Sequence, residues 1–277
     1  MSQLAARPQR IRVRPMNRAR LSVQATLLGL ALLTCYAFTT FDTRDVDLWQ
    51  ATSEMLANFR LLLLEPHLKS LSVLELLQAL AVTVGLGLLT TLFGALIAFF
   101  LGLLAAQNLA PRWVTNLIKG GTAFVRAVPT VLWVLFFAVS AGLGSVAAVL
   151  GMTFHSTGYL IKAYSESFEE IDAGVLEALR ASGASWWQMI FQAVVPTAAS
   201  ALLSWTFVRF EINFSTAIAM GATAGAGGIG FDMFMASVFY LDLREMGALS
   251  YAILAFAMLL EIGATRLKTG LGPKRLA

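Results

Sequence analysis

Two long stretches of this chain are almost without ionisable side chains: residues 76–111 carry no Asp, Glu, Lys, Arg or His, and residues 127–161 carry only His155. Each exceeds the roughly 20 apolar residues that cross a bilayer. Backbone amides at that depth must pair internally, which makes helices the expected element. The pattern predicts six spans, at 21–40, 76–105, 122–141, 145–164, 196–213 and 246–265. The run 127–161 is divided by AGLGS at 141–145, whose glycines permit the tight turn of a helical hairpin. Residues 42–75 mix Asp42, Asp45, Asp47, Glu54, Glu65 and Glu75 with Arg44, Arg60 and Lys69. Within them LWQATSEMLANFRLLLL has helical spacing and Trp49 at one end. It predicts an amphipathic helix lying on the outer membrane surface, ended by Pro66.

Composition agrees with lipid as the solvent: 58% of the 277 residues are hydrophobic and only 13% are charged, outside the range of soluble domains. The expected fold is all-α. The net charge of +4 is unevenly placed, with Arg7, Arg10, Arg12, Arg14, Arg18 and Arg20 ahead of the first apolar run and no acid before Asp42. A nucleic-acid arm has a similar look, but with an apolar run starting at Leu21 the positive-inside rule keeps this arm in the cytoplasm, and no nucleic acid is expected as a partner. Residues 21–40 are long enough to be a permanent anchor rather than a cleaved signal. Six crossings return the C-terminus inside, where Arg266, Lys268, Lys274 and Arg275 follow the last acid, Glu261. The organisation read from these patterns is a cytoplasmic basic arm at 1–20, an anchor with an external segment at 21–75, a core at 76–265 and a cytoplasmic tail at 266–277. Cys35, the single cysteine, excludes an intrachain disulfide and reads as an apolar packing residue.

Chemistry concentrates where polar residues interrupt the membrane pattern. At 171–196 the segment containing EALRASGASWWQMIFQAVVP has acids up to Glu177 ahead of Arg180, which suits a helix N-terminus. Gly183 then breaks the helix, and WWQMIF offers aromatic surface at the membrane boundary. This is either a solvated loop whose Trp186 and Trp187 anchor the interface or a docking surface for a soluble partner. Arg209 and Glu211 fall inside the fifth expected span, where a charge costs at least a few kcal/mol and faces the bundle interior. Two positions apart, they do not share a helix face, so they serve a structural ion pair or an anion-facing pathway. Arg126, near the inner end of its helix, can snorkel. His155 reads as a hydrogen-bonded packing histidine. Gly225, Gly227 and Gly230 satisfy G-x-G-x-x-G, but they follow a membrane helix rather than a strand. No phosphate-binding GxxxxGK[ST] occurs, so the pattern offers no P-loop in this chain. These glycines instead break a helix and turn backbone N–H groups toward a cavity.

Glu177, Ala178, Leu179, Gly183 and Pro196 resemble the EAA loop of ABC importer permeases, E-A-A-x3-G-x9-I-x-L-P, with every spacing kept and Leu179, Ala193 and Val195 as apolar departures. RAVPTVLW at 126–133 resembles that family's R-x-x-P, and GAGGIG at 225–230 its glycine-rich signature near the external gate. RFEIN at 209–213 is similar to phosphonate-importer permeases, which share an extra N-terminal helix. Ser215 stands where those permeases commonly carry Arg, and STAIAMGATAGAGGIG also resembles methionine-importer permeases.

The resemblance implies a type I ABC importer permease fold with six transmembrane helices in the bacterial inner membrane, both termini cytoplasmic. It implies a coupling helix at 171–190 with Glu177, Ala178, Gly183, Trp186 and Trp187 on the motor, and a pathway or gate formed by Arg126, Arg209, Glu211, Asn213, Ser215, Gly225, Gly227 and Gly228. One coupling loop per chain and two nucleotide sites imply a homodimer with two ATPase subunits. Those subunits bind ATP and Mg, no cofactor belongs to this chain, and a periplasmic binding protein delivers the substrate. The substrate class implied is phosphonate or a related phosphorus oxyanion, with methionine or another small solute as the alternative. A rival of another class, a membrane-embedded enzyme, needs a nucleophile with a base. Ser215, Thr216 and Glu211 are near one another in sequence, but no second histidine or acid cluster completes such a site.

Overall fold

The structure, a computed structural model, describes residues 18–40 and 47–271, with 267–271 described by their backbone alone. The expected cytoplasmic arm up to residue 17, the charges at Asp42, Arg44 and Asp45, the Lys268 side chain, and Lys274 and Arg275 lie outside the described residues. Among the described residues all regular structure is helical.

The chain forms two units, Met1–Met55 and Leu56–Ala277. In the first, α1 (Arg18–Thr40) buries none of its residues, and Leu27, Leu33 and Phe38 are exposed like the rest. A helix apolar all round suits lipid. Helix α2 (Leu48–Leu64), whose residues from Leu56 on belong to the second unit, coincides with the expected amphipathic segment. Asp47 starts it by accepting from the Trp49 N–H at 2.9 Å, and it stops before Pro66, which cannot continue the ladder.

In the second unit α3 (Val73–Ala105), α6 (Ser145–Glu169) and α9 (Val195–Ala224) pack together at the centre. Ser72 and Glu75 open α3 with a capping box, Glu75 accepting from the Ser72 N–H at 2.7 Å. Small residues set the helix separations, as is usual in membranes. A Cβ on Gly94 would lie 3.1 Å from that of Ser156, and one on Gly87 would lie 3.1 Å from the Phe214 backbone nitrogen.

The expected span 122–141 is not one helix. Helices α4 (Arg112–Ala127) and α5 (Thr130–Ala141) meet at 90°. Pro129 is the cause, because it lacks an N–H and forces Val128 into extended backbone (φ −89°, ψ 127°). The Trp133 indole repairs part of the broken ladder by donating to the Val125 carbonyl at 3.0 Å. The hairpin turn expected at 141–145 is present, with Gly142 and Gly144 at φ +79° and +137°.

By length and composition four helical stretches can cross a bilayer: Arg18–Thr40, Val73–Ala105, Trp186–Ala224 and Leu243–Arg266. The bent α4 and α5 pair makes a fifth. Residues 145–164, expected as a span, are helical in α6 but are not among these stretches, and Lys162 and Glu166 bring charge into that helix. The expected span 196–213 is the middle of a much longer helix, which runs 39 residues from Trp186 to Ala224. A π-helical turn at Ile190–Val194 precedes Pro196 within it, a place where proline's missing N–H is accommodated. The expected coupling helix 171–190 is two pieces, α7 (Ala173–Ala181) and α8 (Trp186–Met189). Helix α10 (Ile229–Phe234) follows the glycine loop. Finally, α11 (Leu243–Leu271) contains the expected span 246–265 and packs on the end of α2, where Tyr251 donates to the Leu63 carbonyl at 2.6 Å and Arg244 pairs with Glu65 at 2.6 Å.

Candidate functional site

At one end of the bundle, α7 and α8 form a platform. Asp172 caps α7 by accepting from the Gly174 N–H at 2.7 Å, and buried Leu176 holds the helix down. Glu177 and Ala178 face outward. Gly183 has φ +81°, a left-handed conformation that side chains resist, and its N–H and that of Ala184 donate to the Arg180 and Leu179 carbonyls at 3.0 Å each. Ser185 and Gln188 then restart the chain as α8 with a second capping box.

Trp187 is 52% exposed and stacks on Phe191 with ring centres 6.0 Å apart. Trp186 differs from the expectation of a shared aromatic surface. It is half-buried, and its indole donates to the Leu109 carbonyl at 2.9 Å. Arg180 donates to the neighbouring Asn108 carbonyl at 2.9 Å. The platform is thus fastened to the connection between α3 and α4, an attachment that the spacing of residues 171–196 did not reveal.

Arg209 is buried in the middle of the bundle, 4% exposed. Its Nε donates to Ser156 Oγ at 2.7 Å, Ser156 donates to Asn213 Oδ1 at 2.8 Å, and Asn213 Nδ2 donates to Thr91 Oγ1 at 2.9 Å. Thr91 closes the chain on the Gly87 carbonyl at 2.7 Å. The guanidinium also lies 5.1 Å from the centre of the Tyr159 ring. It contacts His155 Nδ1 at 3.4 Å, an atom that Thr130 approaches at 3.0 Å from the other side. Two donors converging on Nδ1 suit a neutral imidazole with its proton on Nε2, and His155 is hydrogen-bonded as the sequence suggested. Glu211 is half-buried on another face of α9, and Ser215 is exposed. Arg126 is exposed in the last turn of α4.

At the far end of α9 the chain turns on glycines. Gly225, the C-cap, has φ +63° and its N–H donates to Met220; Gly227 and Gly228 follow at +80° and +72°. The loop is latched to α3, since the Ile229 N–H donates to Thr83 Oγ1 at 3.0 Å. A Cβ on Gly228 would run into that same hydroxyl. The structure keeps the expected coupling residues Glu177, Ala178, Gly183, Trp186 and Trp187 together at the platform but divides the expected pathway residues, with Arg209 and Asn213 in the buried core, Gly225, Gly227 and Gly228 at the opposite end, and Arg126, Glu211 and Ser215 elsewhere. The partners of the core group, Thr91, Ser156 and Tyr159, were missed from sequence. Their signal was the scatter of hydroxyls inside runs 76–111 and 127–161.

Residues 98–276 match the family described as binding-protein-dependent transport system inner membrane component. The phosphate-import permease protein PhnE of Mycolicibacterium smegmatis is 32% identical over 200 residues, which is 71% of this chain and 36% of that protein. The phosphite transport system permease protein PtxC of Stutzerimonas stutzeri is 31% identical over 187 residues, 67% of this chain and 66% of that one. The matched region is thus less than two thirds of either relative. An inward-facing structure of the MetNI methionine ABC transporter superposes with a TM-score of 0.66 at 19% identity, covering 73% of this chain and 99% of the other. A bacterial ABC transporter for alginate import gives 0.65 at 13% identity, covering 92% and 100%. At those identities the likeness shows a shared fold, whereas the family match rests on the sequence itself: this chain belongs to the binding-protein-dependent transport system inner membrane components.

Proposed function

We propose that the chain is the non-catalytic membrane subunit of an ATP-driven importer in the bacterial inner membrane. It works as a homodimer with two ATPase subunits, which hold ATP and Mg, and with a periplasmic binding protein. It crosses the membrane six times with both termini in the cytoplasm, α2 lying on the outer surface. The observation that carries this reading is the helix Trp186–Ala224, one rod of 39 residues joining the exposed platform at one end to the glycine loop at the other. At 1.5 Å per residue it is about 58 Å long, enough to carry a movement at the platform across the whole bilayer. Closure of the ATPases pulls the paired platforms together. The bonds of Arg180 and Trp186 move the α3 to α4 connection with them, the rods tilt, and the latch between Ile229 and Thr83 changes register at the gate. Arg126, Arg209, Glu211, Asn213 and Ser215 belong to the pathway, and hydrolysis resets it.

The substrate class that fits best is phosphonate, phosphite or a related phosphorus oxyanion. Relatives at 29–32% identity carry names of phosphate and phosphite import, while osmoprotectant and carnitine permeases share 24%. The methionine alternative has behind it the fold likeness and the resemblance of STAIAMGATAGAGGIG. The test is uptake by the complete transporter in proteoliposomes, with its periplasmic binding protein. Phosphite or methylphosphonate should enter with ATP and stimulate hydrolysis. Stimulation by methionine and by neither oxyanion would replace the substrate assignment.

A further inference from the structure

Helix α4 has two unlike faces. Trp113, Leu117 and Phe124 are 71%, 70% and 65% exposed and make an apolar face suited to lipid. The opposite face carries Lys119 and Arg126, which with Lys162, Glu166 and Glu169 of α6 surround a cavity of about 270 Å³. Ionisable side chains on a membrane-inserted helix turn to the bundle interior or to water, so this cavity opens away from the lipid.

Its charge is unbalanced. Lys119 lies 2.9 Å from Glu169, and Lys162 lies 3.5 Å from Glu166. Each pair neutralises itself. Arg126 is the third cation, and among the described residues it makes no ion pair. Its stem is seated on Gly158, where a Cβ would come within 3.3 Å of its Cγ. The last turn of α4 is held by Trp133, whose indole donates to the Val125 carbonyl at 3.0 Å. The cavity lining thus carries one positive charge in excess, at Arg126. The cavity stands at the platform end of the bundle, because Glu169 also accepts from the Gln107 N–H at 2.8 Å in the connection that holds Arg180 and Trp186. Its size equals roughly nine waters at ~30 Å³ each and is below the ~300–1,000 Å³ of sites for larger organic ligands.

We propose that this cavity is an oxyanion subsite on the inner half of the transport path. It rests on the substrate reading above: a small phosphorus oxyanion docks on the planar fork of Arg126, whose geometry matches such oxygens. Lys119 and Lys162 reinforce it, since half-exposed ion pairs hold weakly and either ammonium can turn to the anion. Arg126 then keeps a desolvated anion neutralised between the core and the cytoplasm. A phospholipid headgroup offers the same phosphate chemistry, and the test separates the two sources.

The complex with its ATPase subunits is placed in nanodiscs of phosphatidylcholine alone, carrying Ala123→Cys in a Cys35→Ser background. Ala123 lines the cavity. The new thiol should react faster with an anionic than with a cationic methanethiosulfonate, and inorganic phosphite or phosphate at millimolar concentration should slow the anionic reagent. Arg126→Gln should lower the anionic rate about fivefold, the effect of one unit charge a few ångströms away at high dielectric, and abolish protection; Arg126→Lys should retain part of it. Absence of protection, or protection unchanged in Arg126→Gln, overturns the subsite. Full protection by phosphatidylglycerol in the disc, with none added by phosphite, assigns the cavity to lipid and also overturns it. Protection without phosphite or phosphonate uptake supports the subsite while removing the substrate assignment; uptake without protection removes the subsite alone.

Discussion

Arg209 Nε donates to Ser156 Oγ at 2.7 Å, with both residues buried. That bond is the first of a series running through Asn213 to Thr91, so one line of polar contacts ties α9 to α6 and α3 across the middle of the bundle. Ser156→Ala leaves the Arg209 N–H and the Asn213 carbonyl oxygen unmet and should cost about 1–3 kcal/mol. Arg209→Lys keeps the charge but loses the planar fork that reaches Ser156 and His155 together, and should be destabilised while keeping part of its transport. Thermal unfolding in detergent and uptake in proteoliposomes measure the two effects. Wild-type stability in Ser156→Ala would show that the line is not a structural tie.

Gly228 and Gly225 both have positive φ, yet their surroundings differ. A Cβ on Gly225 meets no atom within 4 Å, whereas one on Gly228 runs into Thr83. Gly225→Ala should therefore cost only the backbone strain, about 1–2 kcal/mol. Gly228→Ala should also break the Ile229 latch and lose transport. Equal effects on uptake and unfolding temperature would contradict this assignment of the latch.

The Asp232 carboxyl in α10 is held above the ordinary carboxylate range, first by burial and then by the negative charges of Glu245 and Glu75. The native state thus binds this proton more tightly than the unfolded chain. Its contribution is fully present below the unfolded-state value and is lost as pH rises through the native one. Residues 229–239 should be best protected from hydrogen exchange, after correction for intrinsic rate, in acid, and should loosen toward neutral pH. Asp232→Asn should remove that dependence and keep the neutral-pH protection high; an unchanged pH profile in the variant would refute the role of Asp232.

Trp186 and Arg180 fasten the platform through the Leu109 and Asn108 carbonyls. Trp186→Phe removes the indole donor and should cost about 1 kcal/mol. It should lower substrate-stimulated ATPase more than basal ATPase, because the platform stays but its attachment loosens. Trp187→Phe, which keeps an aromatic ring on Phe191, should leave that ratio near wild type. The ratio of stimulated to basal hydrolysis in the two variants checks the distinction.

Much of this arrangement is legible in the chain. The glycines of AGLGS mark the hairpin, LWQATSEMLANFRLLLL coincides with α2, and Gly183 breaks the polar interruption where α7 ends. The bend at Pro129 is hidden from hydropathy because a hydrophobicity pattern carries no direction, whether the arm is amphipathic like α4 or apolar throughout like α5. Adjacent Trp186 and Trp187 look alike in sequence, yet about 100° of helix rotation between neighbours sends one indole inward and leaves the other exposed. The core line through Ser156 and Thr91 is faint for another reason. A hydroxyl in a membrane helix satisfies itself on its own backbone, as Thr91 does on Gly87, so its presence in an apolar run does not announce a partner on another helix.

The central claim, that the α7 to α8 platform transmits the motor's movement, is tested most directly by Gly183→Val. The residue has φ +81° with open space around it, so valine strains the turn without a clash and should leave assembly in the membrane intact. The account predicts a fully assembled complex whose ATPase is no longer stimulated by loaded binding protein and which transports no substrate. A Gly183→Val complex that transports with wild-type stimulated ATPase would contradict it.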